Sequence, residues 1–364
     1  MLKQTVIQHT ALAKSGGATR IASLLYEGLK KSRYQTIHSF EASENPGDRL
    51  ISPEKAARAV PENSIVHLHS SADPAAFLSS LPKQTKVIIT LHDTQMITGG
   101  CSYPLSCTHF DKKCFDPCPR KFPDSETVRK KNISALLDSE AVIISPSSWL
   151  ARLTRKADKH ISVKIIPNGI PWPENMADKK KARKKLGLHP SSKVVLFIAH
   201  GGQSAGYKSG PDWKNYWNMI KTKVPEAVGF AIGGDKNSRE GDFLSIPYVD
   251  RRMLRQFMLA ADVFAYPTLA DNHPLVILEA MSCGLAPVSY AVGGVVEQIA
   301  SGVNGILVPP YEKEIFADKV SNLLNNQRQA REMGSQGFHG GGKKYKNIRM
   351  TNNYIKIYDN LAYF

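Results

Sequence analysis

The sequence predicts an α/β protein with two doubly wound, Rossmann-like domains. At 364 residues the chain is longer than a single hydrophobic core usually supports, so two domains are expected. Short apolar segments rich in β-branched residues alternate with amphipathic segments, which is typical of a parallel sheet covered by helices. The alternation is interrupted once, by Pro167-Asn168-Gly169-Ile170-Pro171 and the charged segment 178–185, and then resumes. We therefore place a domain boundary near residue 172.

The first domain is predicted over residues 1–172. Its strand candidates are Thr5–His9, Ile65–His69, Val87–Leu91, Val142–Ser145 and Val163–Ile166. A helix is predicted after the first strand because Ile21, Leu24, Leu25 and Leu29 recur at helical spacing.

The second domain is predicted over residues 173–342. Its strand candidates are Val194–Ile198, Gly229–Ile232, Val263–Tyr266, Pro287–Tyr290 and Ile306–Val308. Apolar stripes predict helices over 312–325 and 344–362, and we expect a terminal helix over 343–364 to pack back on the first domain. In such domains ligands bind at the carboxyl ends of the strands, here expected to face a cleft between the domains.

Composition restricts the class of protein. The chain is 42% hydrophobic, which excludes bulk disorder, and its formal net charge is +16. No window approaches the roughly 18 consecutive apolar residues of a membrane span, and polar residues interrupt the first residues where a signal peptide would be apolar. We therefore expect a soluble cytoplasmic protein. Its basic surface would attract nucleic acid, anionic lipid or a phosphorylated small molecule, and charge alone does not choose among them.

The most informative segment is 266–284, where a strand leads through a polar turn into a helix. Asp271 or Asn272 is expected to cap that helix, with Pro274 in its first turn. The free N–H groups and positive dipole end of the helix then form an anion site suited to phosphate. Glu279 would present its carboxylate to sugar hydroxyls.

In this segment an acidic residue, Asp271, is followed after seven residues by Glu279 and then by Ala-Met-Ser-Cys-Gly. This pattern resembles that of the retaining GT-B glycosyltransferases of the family 4 type, also called glycosyl transferases group 1. Further motifs of that family occur in its order: Ile166–Ile170, Ala286-Pro287-Val288, Gly293-Gly294 followed by Glu297, and Gly302–Pro309. The resemblance implies that Glu279 binds the donor ribose and that Asp271, usually Glu, contacts the transferred sugar. It also implies a donor-binding role for Asn272, His273, Pro274, Leu275, Gly293 and Gly294.

The resemblance also implies that residues in three further segments lie near the donor. Lys208 matches a lysine that neutralises the departing diphosphate, whereas Gln203 or Ser204 stands where an arginine is usual. Gly16 and Gly17 follow the first strand, where glycine permits close approach to a ligand. His92 matches a histidine near the transferred sugar. We therefore name His92, Lys208, Asp271 and Glu279 as catalytic, and Gly16, Gly17 and Gln203 as donor-binding.

Four cysteines lie within a loop over residues 99–119, after His92-Asp93: Cys101, Cys107, Cys114 and Cys118. A reducing cytoplasm disfavours disulfides, so a structural zinc site is one interpretation. Free thiols or redox-labile pairs are the other, because the spacing matches no standard zinc motif. Some family 4-like sequences carry a similar Gly-Gly-Cys insertion. No Asp-x-Asp triplet occurs, which favours transfer without a catalytic metal ion or other cofactor.

The resulting hypothesis is a retaining glycosyltransferase acting in polysaccharide or glycolipid biosynthesis. It would move a sugar from a UDP- or GDP-linked donor to a lipid-linked or saccharide acceptor. It would work in the cytoplasm, at the inner face of the cell membrane, where its charge binds anionic lipid; nucleic acid is not expected as a partner. The alternatives are a basic zinc-containing nucleic-acid-binding protein and a nucleotide-sugar epimerase on the same fold.

Overall fold

The computed structural model describes residues 4–362 and divides into two compact units. The chain passes from the first unit to the second between Gly169 and Ile170, within the Pro-Asn-Gly-Ile-Pro segment, and returns to the first between Lys346 and Asn347. Each unit contains a largely parallel sheet covered by helices.

The first sheet has the strand order β2-β1-β3-β4-β5-β6, and all of its pairings are parallel. Its strands are β1 (Thr5–Leu12), β2 (Gln35–Ala42), β3 (Ile65–Leu68), β4 (Lys86–Thr90), β5 (Val142–Ser145) and β6 (Val163–Ile165). From β1 the chain goes to β2 on one side and then to β3 on the other. The carboxyl ends of β1 and β3 therefore flank the topological switch point, where ligands bind in sheets of this kind.

The second sheet has the order β13-β12-β11-β7-β8-β10-β9, and only β9, next to β10, is antiparallel among the described strands. Its strands are β7 (Lys193–Ile198), β8 (Ala227–Gly234), β9 (Ser238–Glu240), β10 (Phe243–Pro247), β11 (Val263–Tyr266), β12 (Ala286–Tyr290) and β13 (Ile306–Val308). Alternate residues of β7 enter the cores on opposite faces, Val195 and Phe197 on one and Leu196 on the other. The switch point lies between β7 and β11.

Helices cover both sheets. They are α1 (Gly17–Leu29), α2 (Pro53–Arg58), α3 (Pro74–Ser79), α4 (Ser125–Asp138), α5 (Ser148–Ala157), α6 (Lys179–Lys185), α7 (Trp213–Lys223), α8 (Arg251–Ala260), α9 (Leu275–Ser282), α10 (Val295–Gln298), α11 (Lys313–Asn325), α12 (Gln327–Lys344) and α13 (Asn347–Ala362). None of the helices in residues 4–362 combines the length and apolar character needed to cross a bilayer.

The last helix, α13, belongs to the first unit and packs against α1. Gly28 of α1 lies so close to Thr351 of α13 that a Cβ at Gly28 would overlap the threonine side chain. Tyr354 and Tyr358 of α13 are fully buried. The terminal helix begins at Asn347 rather than at 343, because residues 343 and 344 complete α12.

Helix α12 is not predicted by the sequence, because it contains five glycines, each unfavourable in a helix by about 1 kcal/mol relative to alanine. Two of these glycines permit close packing. A Cβ at Gly334 would overlap the carbonyl oxygen of Gly284, and a Cβ at Gly341 would overlap the ring of Trp172. Tertiary contacts therefore stabilise a helix that local propensity disfavours.

Candidate functional site

In the second unit, the loops that follow β7 and β11 meet at the switch point of the sheet. Lys208, in the loop after β7, forms an ion pair with Oδ2 of Asp271, in the loop after β11, and its ammonium lies 3.3 Å from the carbonyl oxygen of Ala270. The Tyr266 hydroxyl donates to the same Asp271 oxygen at 2.7 Å. The Lys208 ammonium also lies 5.3 Å from the centre of the Tyr266 ring. Asp271 is therefore fixed by two donors, in a largely buried position.

The predicted capping of α9 by Asp271 or Asn272 is wrong. Pro274 occupies the N-cap position, rather than the first turn, and no side chain caps the helix. The Asp271 carboxylate does not reach the helix because Lys208 and Tyr266 hold it. Asn272 is buried, and Leu275 is the first residue of α9.

His273 supports this loop from inside the protein. Its Nδ1 lies 3.0 Å from Nε2 of Gln298, which also donates to the carbonyl oxygen of Pro274 at 3.2 Å. Burial lowers the pKa of His273 to about 4, so the ring is neutral near pH 7. Since the Gln298 amide donates, Nδ1 accepts and Nε2 carries the proton.

Gly293 and Gly294 contact the backbone of Asp271. The N–H of Gly294 donates to the Asp271 carbonyl oxygen at 3.0 Å. Gly293 has a φ of +54°, and a Cβ there would overlap the same oxygen. Glycine is thus required at 293 both by the left-handed conformation and by the close approach. These two residues position Asp271.

Glu279 projects from α9 and forms an ion pair with Arg251 at the start of α8. The Glu279 side chain is only 20% exposed, so it is not a fully solvated helix residue. Sequence reasoning missed Arg251, because nothing in its local sequence connects it with Glu279, 28 positions later.

A cavity of about 230 Å³ opens beside the carboxyl ends of β7 and β8. It is lined by Gly201, Gly202, Gln203, Ser204, Trp213, Ala231, Gly234, Asp235, Lys236, Ser238 and Ser245. Gly202 has a φ of +50° and packs on the backbone of Gly234, where a Cβ would overlap. The cavity contains Gln203 but not Lys208. It also contains Lys236, a cation that sequence reasoning missed and that shares the cavity with Gln203.

His92, Gly16 and Gly17 lie in the first unit. His92 follows β4 and lines a cavity of about 70 Å³ together with Ala18, His69 and Asp93. Gly16 precedes α1 with a φ of +93°, a conformation that requires glycine, and Gly17 is the first residue of that helix. A Cβ at either glycine would meet no atom within 4 Å, and neither glycine lines this cavity.

A buried network of histidines surrounds His92, and sequence reasoning missed it. Nε2 of His92 lies 3.0 Å from Nδ1 of His69, and Nε2 of His69 lies 2.8 Å from Oε1 of Gln8. Burial lowers the pKa of His92 to about 4 and that of His69 well below its usual value. By contrast, burial raises the pKa of the neighbouring Asp93 to about 6. The available signal was the pair His67 and His69 at the end of an apolar strand.

The four predicted zinc ligands line one cavity of about 20 Å³, together with His109, and all are free thiols. Backbone N–H groups donate to Sγ of Cys114 and of Cys118 at 3.3 and 3.4 Å. Burial raises the pKa of Cys101 and of Cys114. Between residues 4 and 362, no group of three or more His, Cys, Asp or Glu side chains is arranged to hold a metal ion. Zinc binding therefore stays a prediction.

Comparisons with known proteins place this arrangement in context. Residues 240–339, which include Asp271 and Glu279, match the family model described as glycosyl transferases group 1. The chain is 28% identical to a D-inositol 3-phosphate glycosyltransferase of Segniliparus rotundus over 198 residues, which are 50% of this chain and 43% of that protein. It is 29% identical to an alpha-maltose-1-phosphate synthase of Mycolicibacterium smegmatis over 197 residues, 48% of this chain and 51% of that protein. The chain thus spans about half the length of these curated relatives.

Solved structures match over almost the whole chain. Sucrose-phosphate synthase of Thermosynechococcus elongatus has a TM-score of 0.77 at 16% identity, with 99% of each chain covered. Anabaena Alr3699/HepE in complex with UDP-glucose has a TM-score of 0.75 at 15% identity, covering 98% of this chain and 99% of that one. WaaG, a glycosyltransferase involved in lipopolysaccharide biosynthesis, has a TM-score of 0.67 at 14% identity, with 97% and 99% covered. The chain therefore has the GT-B fold, and its residues 240–339 match the glycosyl transferases group 1 model.

Proposed function

We propose that the chain is a retaining glycosyltransferase that moves a sugar from a UDP- or GDP-linked donor to an acceptor hydroxyl. The observation that carries this proposal is the cluster of Lys208, Asp271 and Tyr266 at the switch point of the second sheet. It joins a cation to the acidic residue of the group 1 segment, at the edge of the sheet where α/β domains bind ligands.

Lys208 stabilises the leaving group. When the glycosidic bond breaks, negative charge grows on the departing diphosphate, so a cation already held in place favours the transition state over the ground state. Asp271 and the carbonyl oxygen of Ala270 hold the Lys208 ammonium before the donor arrives. The Asp271 carboxylate retains lone pairs that accept hydrogen bonds from hydroxyl groups of the transferred sugar.

Glu279 and the cavity beside β7 bind the nucleotide. The Glu279 carboxylate accepts hydrogen bonds from the ribose hydroxyls, and Arg251 fixes the orientation of that carboxylate. The Gly201-Gly202 turn brings backbone close to the phosphates, and Lys236 supplies in that cavity a positive charge that Gln203 lacks. Transfer in this scheme uses no catalytic metal ion or other cofactor.

The acceptor is proposed to be a saccharide or a lipid-linked saccharide, in polysaccharide or glycolipid biosynthesis at the inner face of the cell membrane. The basic runs 129–131 and 155–156 of the first unit are proposed to bind such a surface. Arg129 is buried and donates to the carbonyl oxygens of Phe110 and Ala157. The other basic residues of the two runs in the first unit, Lys130, Lys131, Arg155 and Lys156, are exposed and remain the first candidates for contact with anionic lipid, ahead of the exposed lysines of α6.

The proposal is tested by incubating the protein with UDP-, GDP- and ADP-sugars and measuring release of the nucleoside diphosphate, first without an acceptor. Lys208→Ala and Glu279→Ala should each lower the rate by about 10²–10³, because each removes one preorganised charge contact. Lys221→Ala is the matched control, because Lys221 pairs with Asp242 on the surface of the same unit.

Product analysis separates the alternatives. A retained anomeric configuration in the product supports the proposal, whereas an epimerised nucleotide sugar without transfer would identify an epimerase. Binding of duplex DNA without any turnover of nucleotide sugars would instead favour the nucleic-acid-binding alternative.

A further inference from the structure

Glu41 is a buried carboxylate near the end of β2 that the proposed function does not use. Its Oε1 accepts from the Ser71 hydroxyl at 2.5 Å and lies 3.2 Å from Nε2 of His9. Its Oε2 accepts from the backbone N–H of Ala72 at 2.8 Å. Glu41 is 4% exposed, and His9 is fully buried. A buried carboxylate is costly unless hydrogen bonds satisfy it, and here both oxygens have partners.

Two of these three contacts are made by the loop that follows β3. In the sheet, β1 lies between β2 and β3. The hydroxyl of Ser70, the residue before Ser71, accepts from the backbone N–H of Ala11 in β1 at 3.0 Å. The loop therefore extends from β3 across the carboxyl end of β1 to Glu41 on β2. This places it next to the switch point of the first sheet, where ligands bind in sheets of this kind.

The same loop lines the cavity of about 70 Å³ in the first unit. Ser70 and Ser71 are among its lining residues, and so is Asp93 from the loop after β4. A cavity of this volume has room for a small polar group such as a hydroxymethyl group. Ser70 uses only its oxygen in the bond with Ala11, so its hydroxyl proton can be donated to a ligand. The carboxylate of Asp93 disfavours an anionic group there, so an uncharged ligand with hydroxyl groups fits best.

The loop is held in place before any ligand arrives. It lies outside the helices and strands, and its residue Ala72 is exposed. Glu41 binds Ser71 and Ala72, and the next residue, Asp73, caps α3 and pairs with Lys131 at 2.7 Å. That ion pair is largely exposed and therefore weak, so the buried Glu41 is the stronger anchor. A loop that is already ordered loses less conformational entropy when a ligand binds.

We propose that Glu41 is a positioning residue for the acceptor: it holds the Ser70–Ala72 loop so that the Ser70 hydroxyl donates a hydrogen bond to an oxygen of an uncharged saccharide. This inference rests on the proposed function for the identity of the ligand, because the donor is assigned there to the second unit. The anchoring of the loop follows from the contacts of Glu41 and does not depend on catalysis. Glu41 is not a catalytic residue, because it is buried behind the loop and does not line the cavity.

The anchoring is tested by amide hydrogen exchange, measured by NMR on the full chain. Glu41→Leu removes both acceptor oxygens, so the N–H of Ala72 should exchange at least about tenfold faster than in the wild type. Glu41→Gln keeps one acceptor oxygen for that N–H and should exchange at nearly the wild-type rate. Unchanged exchange in Glu41→Leu would overturn the proposal. Equal acceleration in both variants would also contradict it, because charge rather than the hydrogen bonds would then hold the loop.

Thr154→Val is the matched control for a general loss of stability. It removes a buried hydroxyl that donates to the carbonyl oxygen of Leu150 in α5, within the same unit. The exchange of Ala72 should be the same in Thr154→Val as in the wild type. Equal acceleration in Thr154→Val and Glu41→Leu would mean that loosening of the whole unit, and not the loss of one anchor, explains the result.

Sugar binding is tested without a donor, with the methyl glycosides of glucose, galactose and mannose as probes. We expect at least one of them to shift the amide signals of Ser70 and Ser71 in an NMR titration. Its affinity should fall by about three- to tenfold in Glu41→Leu and in Ser70→Ala, the scale of one lost hydrogen bond. Glu41→Gln and Thr154→Val should bind it nearly as well as the wild type. If none of the three glycosides binds to the wild type, the proposal is wrong.

Activity measurements separate this proposal from the proposed function. Glu41→Leu should raise KM for the glycoside acceptor by about three- to tenfold, and by more than it raises KM for the nucleotide sugar. If a glycoside binds at Ser70 but no nucleotide sugar is turned over, the proposed function fails while the sugar site and its anchor stand. If transfer proceeds with an unchanged KM for the glycoside in Glu41→Leu, the positioning role is wrong while the proposed function stands.

Discussion

Asp271 is the residue at which this chain departs from the family it resembles, where glutamate is usual. The carboxylate is one methylene shorter, and the structure compensates with two donors that reach it, Lys208 and Tyr266. Gly293 and Gly294 bring the backbone of the following loop against Asp271. The position of this one carboxylate is therefore determined by residues from strand β11 and from two separate loops.

We expect Asp271→Asn to lower sugar transfer by about 10²–10³, because the amide keeps the shape but not the charge that holds Lys208. Asp271→Glu should retain more activity than the asparagine variant. Asp212→Asn serves as the control, since Asp212 pairs with Lys313 elsewhere in the second unit. Initial rates at saturating donor measure the effect, and near wild-type turnover of Asp271→Asn would contradict the assigned role.

At the scale of single elements, α12 shows how close packing overrides helix propensity. Gly334 touches the backbone of Gly284 so closely that no side chain fits, whereas a Cβ at Gly340 would meet nothing within 4 Å. Both positions lie in the same helix. The two glycines therefore have opposite expected responses to the same substitution.

Gly334→Ala should lower the free energy of unfolding by about 1–3 kcal/mol, the cost of overpacking. Gly340→Ala should raise it by about 0.5–1 kcal/mol, because alanine is the better helix former. Urea denaturation of both variants provides the measurement. A stabilised Gly334→Ala would show that the contact between α12 and the Gly284 turn is looser than described.

The cysteine loop is a second element with a testable property. Its four thiols share one small cavity, and two of the sulfur atoms accept backbone N–H groups. We predict about one structural zinc per chain in protein purified under reducing conditions without a chelator, and no zinc in Cys114→Ser. Elemental analysis decides this. Metal-free protein with four reactive thiols would leave free or redox-active cysteines as the correct interpretation.

At the scale of the whole molecule, buried histidines couple stability to pH. Burial lowers the pKa of His92 and of His273 to about 4 and that of His69 well below its usual value. Between about pH 6.5 and 4 the unfolded chain therefore binds protons that the folded chain does not, and the free energy of unfolding falls as the pH falls. Asp93, whose pKa is raised to about 6 by burial, has the opposite effect on the free energy of unfolding, but it is one group against three histidines.

We therefore expect the protein to be less stable at pH 5 than at pH 7, as measured by urea denaturation. His92→Gln should reduce this difference in stability, because it removes one group that takes up a proton between pH 7 and pH 5 in the unfolded chain but not in the folded chain. His160→Gln is the control, since His160 is exposed. A stability that is equal at both pH values would contradict the burial of these rings as neutral groups.

The sequence by itself determined the α/β class, the position of most strands and the group 1 motif. Strands such as Val142–Ser145 and Val263–Tyr266 were predicted with their observed bounds, because apolar β-branched runs between turns are a property of neighbouring residues. Strand β2 was not predicted, because Gln35–Ala42 mixes polar residues into an edge strand that is only partly buried. The GT-B fold was implied by the motif and is confirmed by the solved structures.

Only the tertiary structure decided what the functional side chains touch. Capping of α9 by Asp271 was a sound local expectation, but Lys208, 63 positions earlier, binds that carboxylate instead. His92 contacts His69, which follows a different strand, and Gln8 and Tyr358 meet across 350 positions. Local sequence encodes periodicity and turn chemistry. Contacts over such separations depend on strand order and helix packing, which bring together residues that share no sequence pattern.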